Sequence, residues 1–177
     1  IENARYVLKF VNFGPETVQE KASVVYFDSD PNNKGELLRG DLAVLNKEGV
    51  AVYDFNGTRL LKSDFRYDHP KMVSTQRNIV ICDLGGYGLR VINSFSTVYT
   101  QTFSYPILGL SASESGRFVV VSSAKGYRSA FFVYDEHCRV IYTYYFGDKY
   151  IDCAAISPDG REIAVLLHYS QNGQLVT

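Results

Sequence analysis

Residues 107–146, ILGLSASESGRFVVVSSAKGYRSAFFVYDEHCRVIYTYYF, contain four apolar runs separated by short polar interruptions. ILGLSAS leads through Glu114-Ser115-Gly116 into RFVVVSS. AKGYR connects to SAFFVYD, and Glu136-His137 turns into CRVIYTYYF. Val, Ile, Phe and Tyr dominate the runs, as pleated, half-buried strands require. Nothing here keeps a helical period with caps. The stretch reads as four antiparallel strands, A to D, joined by tight turns.

The same unit recurs along the chain. LAVL, IVIC, FVVV and IAVL begin at residues 42, 79, 118 and 163, so they are spaced by 37, 39 and 45 residues. A second feature keeps nearly the same period: AVYD, RVIN and FVYD end at Asp54, Asn93 and Asp135, 39 and 42 residues apart. Four strands repeating at about 40–45 residues mark the blades of a β-propeller. The expected fold is therefore all-β, with four-stranded antiparallel blades. Residues 39–177 hold the blades, in units of 39–76, 77–115 and 116–159 and a partial unit at 160–177.

Residues 1–38 fit the repeat less well and are expected to form a partial blade or a ring-closing segment. ARYVLKFVNF and ASVVYFD read as strands, Asp30-Pro31-Asn32-Asn33 as a turn, and a short helix over 15–22 is the alternative. Closed propellers use about four to eight blades. The sequence begins at Ile1, so the expectation is a piece of a longer protein or one with further blades.

Over residues 39–177 the chain resembles WD40-like and quinoprotein-like propellers. The resemblance rests on SPDGREIAV at 157–165 and on the dipeptide closing each third strand. Tyr53-Asp54, Ile92-Asn93 and Tyr134-Asp135 stand where WD40 repeats carry Trp-Asp; the Gly-His dipeptide of those repeats is absent. LAVLNKEGVAVYD, SYPILGL and KGYRSAFFVYD are also similar to a family of Gram-positive bacterial propellers of unknown function. That similarity implies an extracytoplasmic domain anchored to the bacterial membrane through a segment outside this chain, and it brings no catalytic motif.

Composition narrows the possibilities further. Eighteen basic and nineteen acidic residues leave a formal charge of −1, which gives no broad field for nucleic acid or an anionic membrane. Cys82, Cys138 and Cys153 form no CxxC or Cys/His cluster, so they are expected to be small buried hydrophobes with no metal. GxSxG, HExxH and P-loop patterns are absent, and DLGGYG at 83–88 lacks the strand-to-helix setting of a phosphate cradle. No cofactor is expected.

Blade topology sorts the loops by face. The A-to-B and C-to-D turns share one face; SPDGR lies there, with Pro, Asp and Gly each suited to a turn. Asn56-Gly57 on that face reads as a type I′ hairpin. The B-to-C and D-to-A loops share the opposite face and carry Tyr67, Asp68, His69, Tyr87, Tyr105, Lys125, Tyr127, Arg128, Asp148, Lys149 and Tyr150. Tyrosines with adaptable polar neighbours suit recognition; the alternative is that they only pack blade to blade. The aromatic YTYYF at 142–146 is expected in the inter-blade core.

The expected function is a non-enzymatic binding or scaffold module that recognises a protein, peptide or cell-envelope ligand through this second face. The alternative is a hydrolase or a quinoprotein-like dehydrogenase with a central-channel site drawing on Asp68, His69 and Asp148.

Overall fold

The computed structural model describes Val24, residues 33–171 and residues 174–176. Except for Val24 and Asn33, the segments expected in residues 1–33 lie outside the described residues. Every regular element described is a strand. Blade 1 contains β1 (Lys34–Leu38), β2 (Asp41–Asn46), β3 (Gly49–Tyr53) and β4 (Arg59–Asp64). Blade 2 contains β5 (Pro70–Ser74), β6 (Ile79–Asp83), β7 (Gly88–Ile92) and β8 (Thr97–Thr102). Blade 3 contains β9 (Ile107–Ala112), β10 (Phe118–Ala124), β11 (Tyr127–Tyr134) and β12 (Val140–Phe146). A fourth sheet holds β13 (Tyr150–Ile156), β14 (Ile163–Gln171) and β15 (Gln174–Val176).

Each sheet is an antiparallel meander in chain order. The first strands β1, β5, β9 and β13 neighbour one another in succession, so they form the inner layer. Strands β4, β8 and β12 lie at the outer edges of their sheets. The four-stranded antiparallel blades are those expected from the repeat, but the sheets begin at Lys34, Pro70, Ile107 and Tyr150 rather than at the expected unit bounds 39, 77, 116 and 160.

Strand alternation turns the apolar runs into inter-blade cores. Ile79 and Ile81 face blade 1, where they meet Leu45 and Val52. Val80 and Cys82, on the other face of the same strand, meet Ile107 and Phe118 of blade 3. Val119 and Val121 then pack against Ile151 and Ile156 of the fourth sheet. Both faces of β6 and β10 are almost fully buried. Removing each such side chain from water contributes roughly 1.5–3 kcal/mol, which explains why their sequences are continuously apolar.

The repeated Asp/Asn is a turn device. Asp54 Oδ1 accepts from the backbone N–H of Asn56 (2.9 Å) and Thr58 (2.8 Å). Asn93 Oδ1 does the same for Phe95 and Ser96, and Asp135 Oδ1 for His137 and Arg139. The A-to-B turns have a parallel device in hydroxyls. Thr75 Oγ1 accepts from Arg77 and Asn78, and Ser157 Oγ from Arg161 and Glu162.

SPDGR is a turn, as its residue types predict. Gly160 has φ 72° and donates to Ser157 O, while Asp159 Oδ1 accepts from the Ser157 hydroxyl (2.6 Å) and the Arg161 N–H (3.1 Å). Those bonds, led by the one from Ser157, hold the Asp159 carboxyl below the usual range. Gly160 has a second role: a methyl there would run into the Ser115 side chain of blade 3. The A-to-B turns form a rail across all four sheets. Arg39 Nε donates to Gln76 O (2.6 Å), Gln76 N to Glu114 O (3.3 Å) and Ser115 N to Pro158 O (3.3 Å).

Three local expectations are corrected. Gly57, but not Asn56, takes a positive φ, so the 54–58 loop is not type I′; Arg39-Gly40 (φ 50° and 85°) supplies that hairpin geometry instead. Only Cys82 is buried. Cys138 is half-buried in the turn after Asp135, and a register shift between Ile151 and Cys153 accompanies an exposed Cys153. YTYYF lies on the outer strand β12, where Tyr142, Tyr144 and Tyr145 are about half exposed because no strand among the described residues lies beyond them in their sheet.

Candidate functional site

The B-to-C and D-to-A loops are joined to one another by backbone hydrogen bonds. Tyr67 N donates to Lys47 O (3.0 Å), Leu84 N to His69 O (3.0 Å) and Phe103 N to Tyr87 O (2.8 Å). The glycine-rich 83–88 loop reaches the next blade: Gly85 N donates to Ile107 O and Ile107 N to Gly86 O, both at 2.7 Å. Gly86 is required there because the Asp83 carboxylate occupies the space of any side chain, while Asp83 Oδ1 accepts from His69 N. The glycines of DLGGYG therefore fasten a loop to a strand.

Within this frame the candidate residues separate into three groups. Tyr67 is half-buried between blades 1 and 2. Its ring lies 4.5 Å from that of Phe65 and covers Gly88, where an added methyl would strike it. Burial pushes the Tyr67 hydroxyl pKa up, with the nearby Arg90 opposing. Arg90 itself sits over Phe65 (5.1 Å) and donates to Ser63 Oγ (3.3 Å). Tyr67 thus packs blade to blade, whereas Asp68, His69 and Tyr87 on the same loops are exposed.

The second group lies between blade 3 and the fourth sheet. Arg128 sits over the Tyr150 ring (5.5 Å), which stacks on His168 (5.2 Å, 14°). His168 Nδ1 meets Asp152 Oδ1 at 2.5 Å, and Lys149 sits over Tyr169 (5.0 Å). Asp148 is exposed beside them.

The third group, Tyr105, Lys125 and Tyr127, lines a cleft of about 500 Å³ between blades 2 and 3. That volume lies within the range of small-ligand sites, roughly 300–1,000 Å³. Its apolar walls include Phe103 and Phe132, which meet edge to face at 5.6 Å. Tyr145 lies 4.8 Å from Tyr127, ring to ring. Gln101 is held from two sides, because its Oε1 accepts from the hydroxyls of Tyr99 and Tyr134, both at 2.8 Å. Among the described residues, no acidic side chain lines the cleft.

Gln101, Phe132 and Tyr145 are not among the sequence-based candidates: they lie within strands β8, β11 and β12, and Tyr145 belongs to the YTYYF run expected in the inter-blade core. A polar Gln beside Tyr99 in TVYTQT was the one available signal.

Among the described residues, one group of acids and imidazole comes close enough to share an ion: Asp135, Glu136 and His137, on a C-to-D turn. Its buried member is already engaged. Arg139 donates to Asp135 Oδ2 through Nε (2.8 Å) and Nη2 (2.7 Å). Burial alone would raise the Asp135 carboxyl pKa, but its bonds from Arg139 and His137 hold it below the usual range. Asp68, His69 and Asp148 form no such group.

Solved structures similar to this chain are propellers. Hsv2 from Kluyveromyces lactis matches at 14% identity with a TM-score of 0.57, covering 78% of this chain and 48% of that one. The WD40 domain of Toxoplasma gondii coronin matches at 12% identity with a TM-score of 0.50, covering 80% and 43%. The chain therefore spans less than half the length of either, and at these identities the likeness shows the fold alone. No curated protein sequence matches it. The model of the family of unknown function DUF5711 matches residues 16–177, and this β-propeller chain belongs to that family.

Proposed function

We propose that this chain is a non-enzymatic propeller module that recognises a protein, peptide or cell-envelope ligand through the face bearing the B-to-C and D-to-A loops. The observation that carries the reading is the cleft between blades 2 and 3. It gathers Tyr105, Lys125 and Tyr127 from two blades and provides two walls, which a single turn does not. On the opposite face, the A-to-B turns spend their polar groups on one another. Aromatic walls with a few fixed polar groups suit recognition of a ligand.

Titrating the chain with short peptides and soluble peptidoglycan fragments tests this reading. A ligand of this face should bind wild type and the opposite-face variant Arg161→Ala alike, and a Tyr105→Ala/Tyr127→Ala variant far more weakly. Equal binding by all three, or conversion of the ligand to a product, would overturn it.

The module is further proposed to work outside the cytoplasm, held at a bacterial membrane by an anchor beyond these residues. The similarity of its LAVLNKEGVAVYD and KGYRSAFFVYD phrases to anchored Gram-positive propellers supports this. Cys153 is exposed and provides the test. A membrane-impermeant maleimide should label it on intact cells, and labelling only after lysis would place the domain inside.

A further inference from the structure

The cleft between blades 2 and 3 has a one-sided chemistry. Lys125 is exposed on its rim, and no carboxylate pairs with it among the described residues. Among the described residues, neither Asp nor Glu contributes to the lining. Gln101 adds a second donor. Both tyrosine hydroxyls donate to its carbonyl oxygen, and its NH2 group has no protein partner among the described residues. An ammonium and a held amide N–H with no acceptor of their own fit an anionic group.

The remaining lining specifies what that group is attached to. Phe103, Phe132, Tyr127 and Tyr145 offer aromatic faces for an apolar or planar side chain. A carboxylate carried beside an apolar or aromatic side chain is the chemistry of a peptide C-terminus, whereas a sugar acid offers hydroxyls in place of that apolar group.

Resting on the binding function proposed above, we propose that this cleft takes the free carboxylate end of a short peptide. Lys125 and the Gln101 amide meet the carboxylate, and the aromatic walls receive an apolar or aromatic terminal side chain.

The test is an NMR titration of the whole chain with three probes: acetyl-Gly-Ala-Phe as the free acid, the same peptide as its C-terminal amide, and glucuronic acid. The free acid should shift backbone amides around 101–105 and 122–127. The capped peptide should bind about tenfold more weakly, the loss expected for a charge-assisted hydrogen bond. Lys125→Met and Gln101→Glu should each weaken the free acid by a similar factor. Gln101→Glu keeps an oxygen for both tyrosine hydroxyls while placing negative charge in the cleft, and an unchanged Tm would show that the fold is intact.

Equal binding of acid and amide at this cleft would overturn the carboxylate inference and leave the binding face standing. Insensitivity to both substitutions, preference for glucuronic acid, or no binding of any probe would also overturn the inference. Shifts confined to residues 113–117 and 157–161 would overturn both the inference and the face assignment.

Discussion

The seam between blades 1 and 2 and the seam between blades 2 and 3 are built on one plan and end differently. Phe65-Arg66-Tyr67 and Phe103-Ser104-Tyr105 occupy corresponding loops, each facing the third strand of the next blade. On that strand, Gly88, Arg90 and Ile92 correspond to Ala130, Phe132 and Tyr134, counted back from Asn93 and Asp135. At the first seam, Gly88 lets the Tyr67 ring lie against the strand while Arg90 covers Phe65. At the second, Phe132 meets Phe103 edge to face, Ala130 stands in place of the glycine, and Tyr105 lines a cleft. A few side chains on a constant backbone plan thus accompany a filled seam in one place and a candidate binding site in the other.

The deepest way to break the second seam is Phe118→Ala. Phe118 is 1% exposed and stacks on Tyr134 (4.6 Å, 4°), so truncation removes packing from both blades. We expect a loss of about 3–5 kcal/mol in urea unfolding. Gly88→Val attacks the first seam instead. Gly88 has no positive φ, so its cost is steric: the added carbons meet the Tyr67 ring. Expelling that ring should cost roughly 1–3 kcal/mol and make Tyr67 more accessible, seen as faster iodination mapped by mass spectrometry. A variant as stable as wild type, with Tyr67 still protected, would show that the seam's filling does not depend on the glycine.

The blades were legible in the sequence because their signals are local. Asp54, Asn93 and Asp135 bond to amides only two to four residues ahead, so a repeated letter marks a repeated turn. The alternation in SAFFVYD likewise sends Phe131 and Val133 toward the fourth sheet and Phe132 and Tyr134 toward blade 2. The cleft was only partly legible because its geometry is not local. Gln101 is oriented by Tyr134, 33 residues away, and no pattern within one strand records that bond. Tyr145 resembles a core residue by type, but nothing within β12 states that it is the outermost strand of its sheet. Cys153 sits in an apolar run, and the register shift beside it is invisible to simple alternation.

The smallest expected effect is the most specific to the second seam. Tyr134 stands where the first seam has Ile92, and it adds a hydroxyl that bonds Gln101 across the blades. Tyr134→Phe removes that bond but keeps the stacked ring, and Gln101 Oε1 retains its bond from Tyr99. At neutral pH the loss should be about 1 kcal/mol, since no buried acceptor is left unsatisfied. Burial, reinforced by the neighbouring Tyr99, pushes the Tyr134 hydroxyl far above its ordinary pKa, with the Gln101 bond opposing. The folded chain therefore holds this proton more tightly than the unfolded chain. The associated stability is complete below the unfolded tyrosine pKa, about 10, and falls as pH rises beyond it toward the folded value. Wild type should lose stability on moving from neutral pH to about 11, and Tyr134→Phe should lose less. At the first seam Arg90 opposes the rise in the Tyr67 pKa, so Tyr67→Phe should flatten the alkaline slope less than Tyr134→Phe. Urea unfolding of the three proteins across this range checks the order; equal slopes would mean that the two seams do not differ in the way their tyrosines are buried.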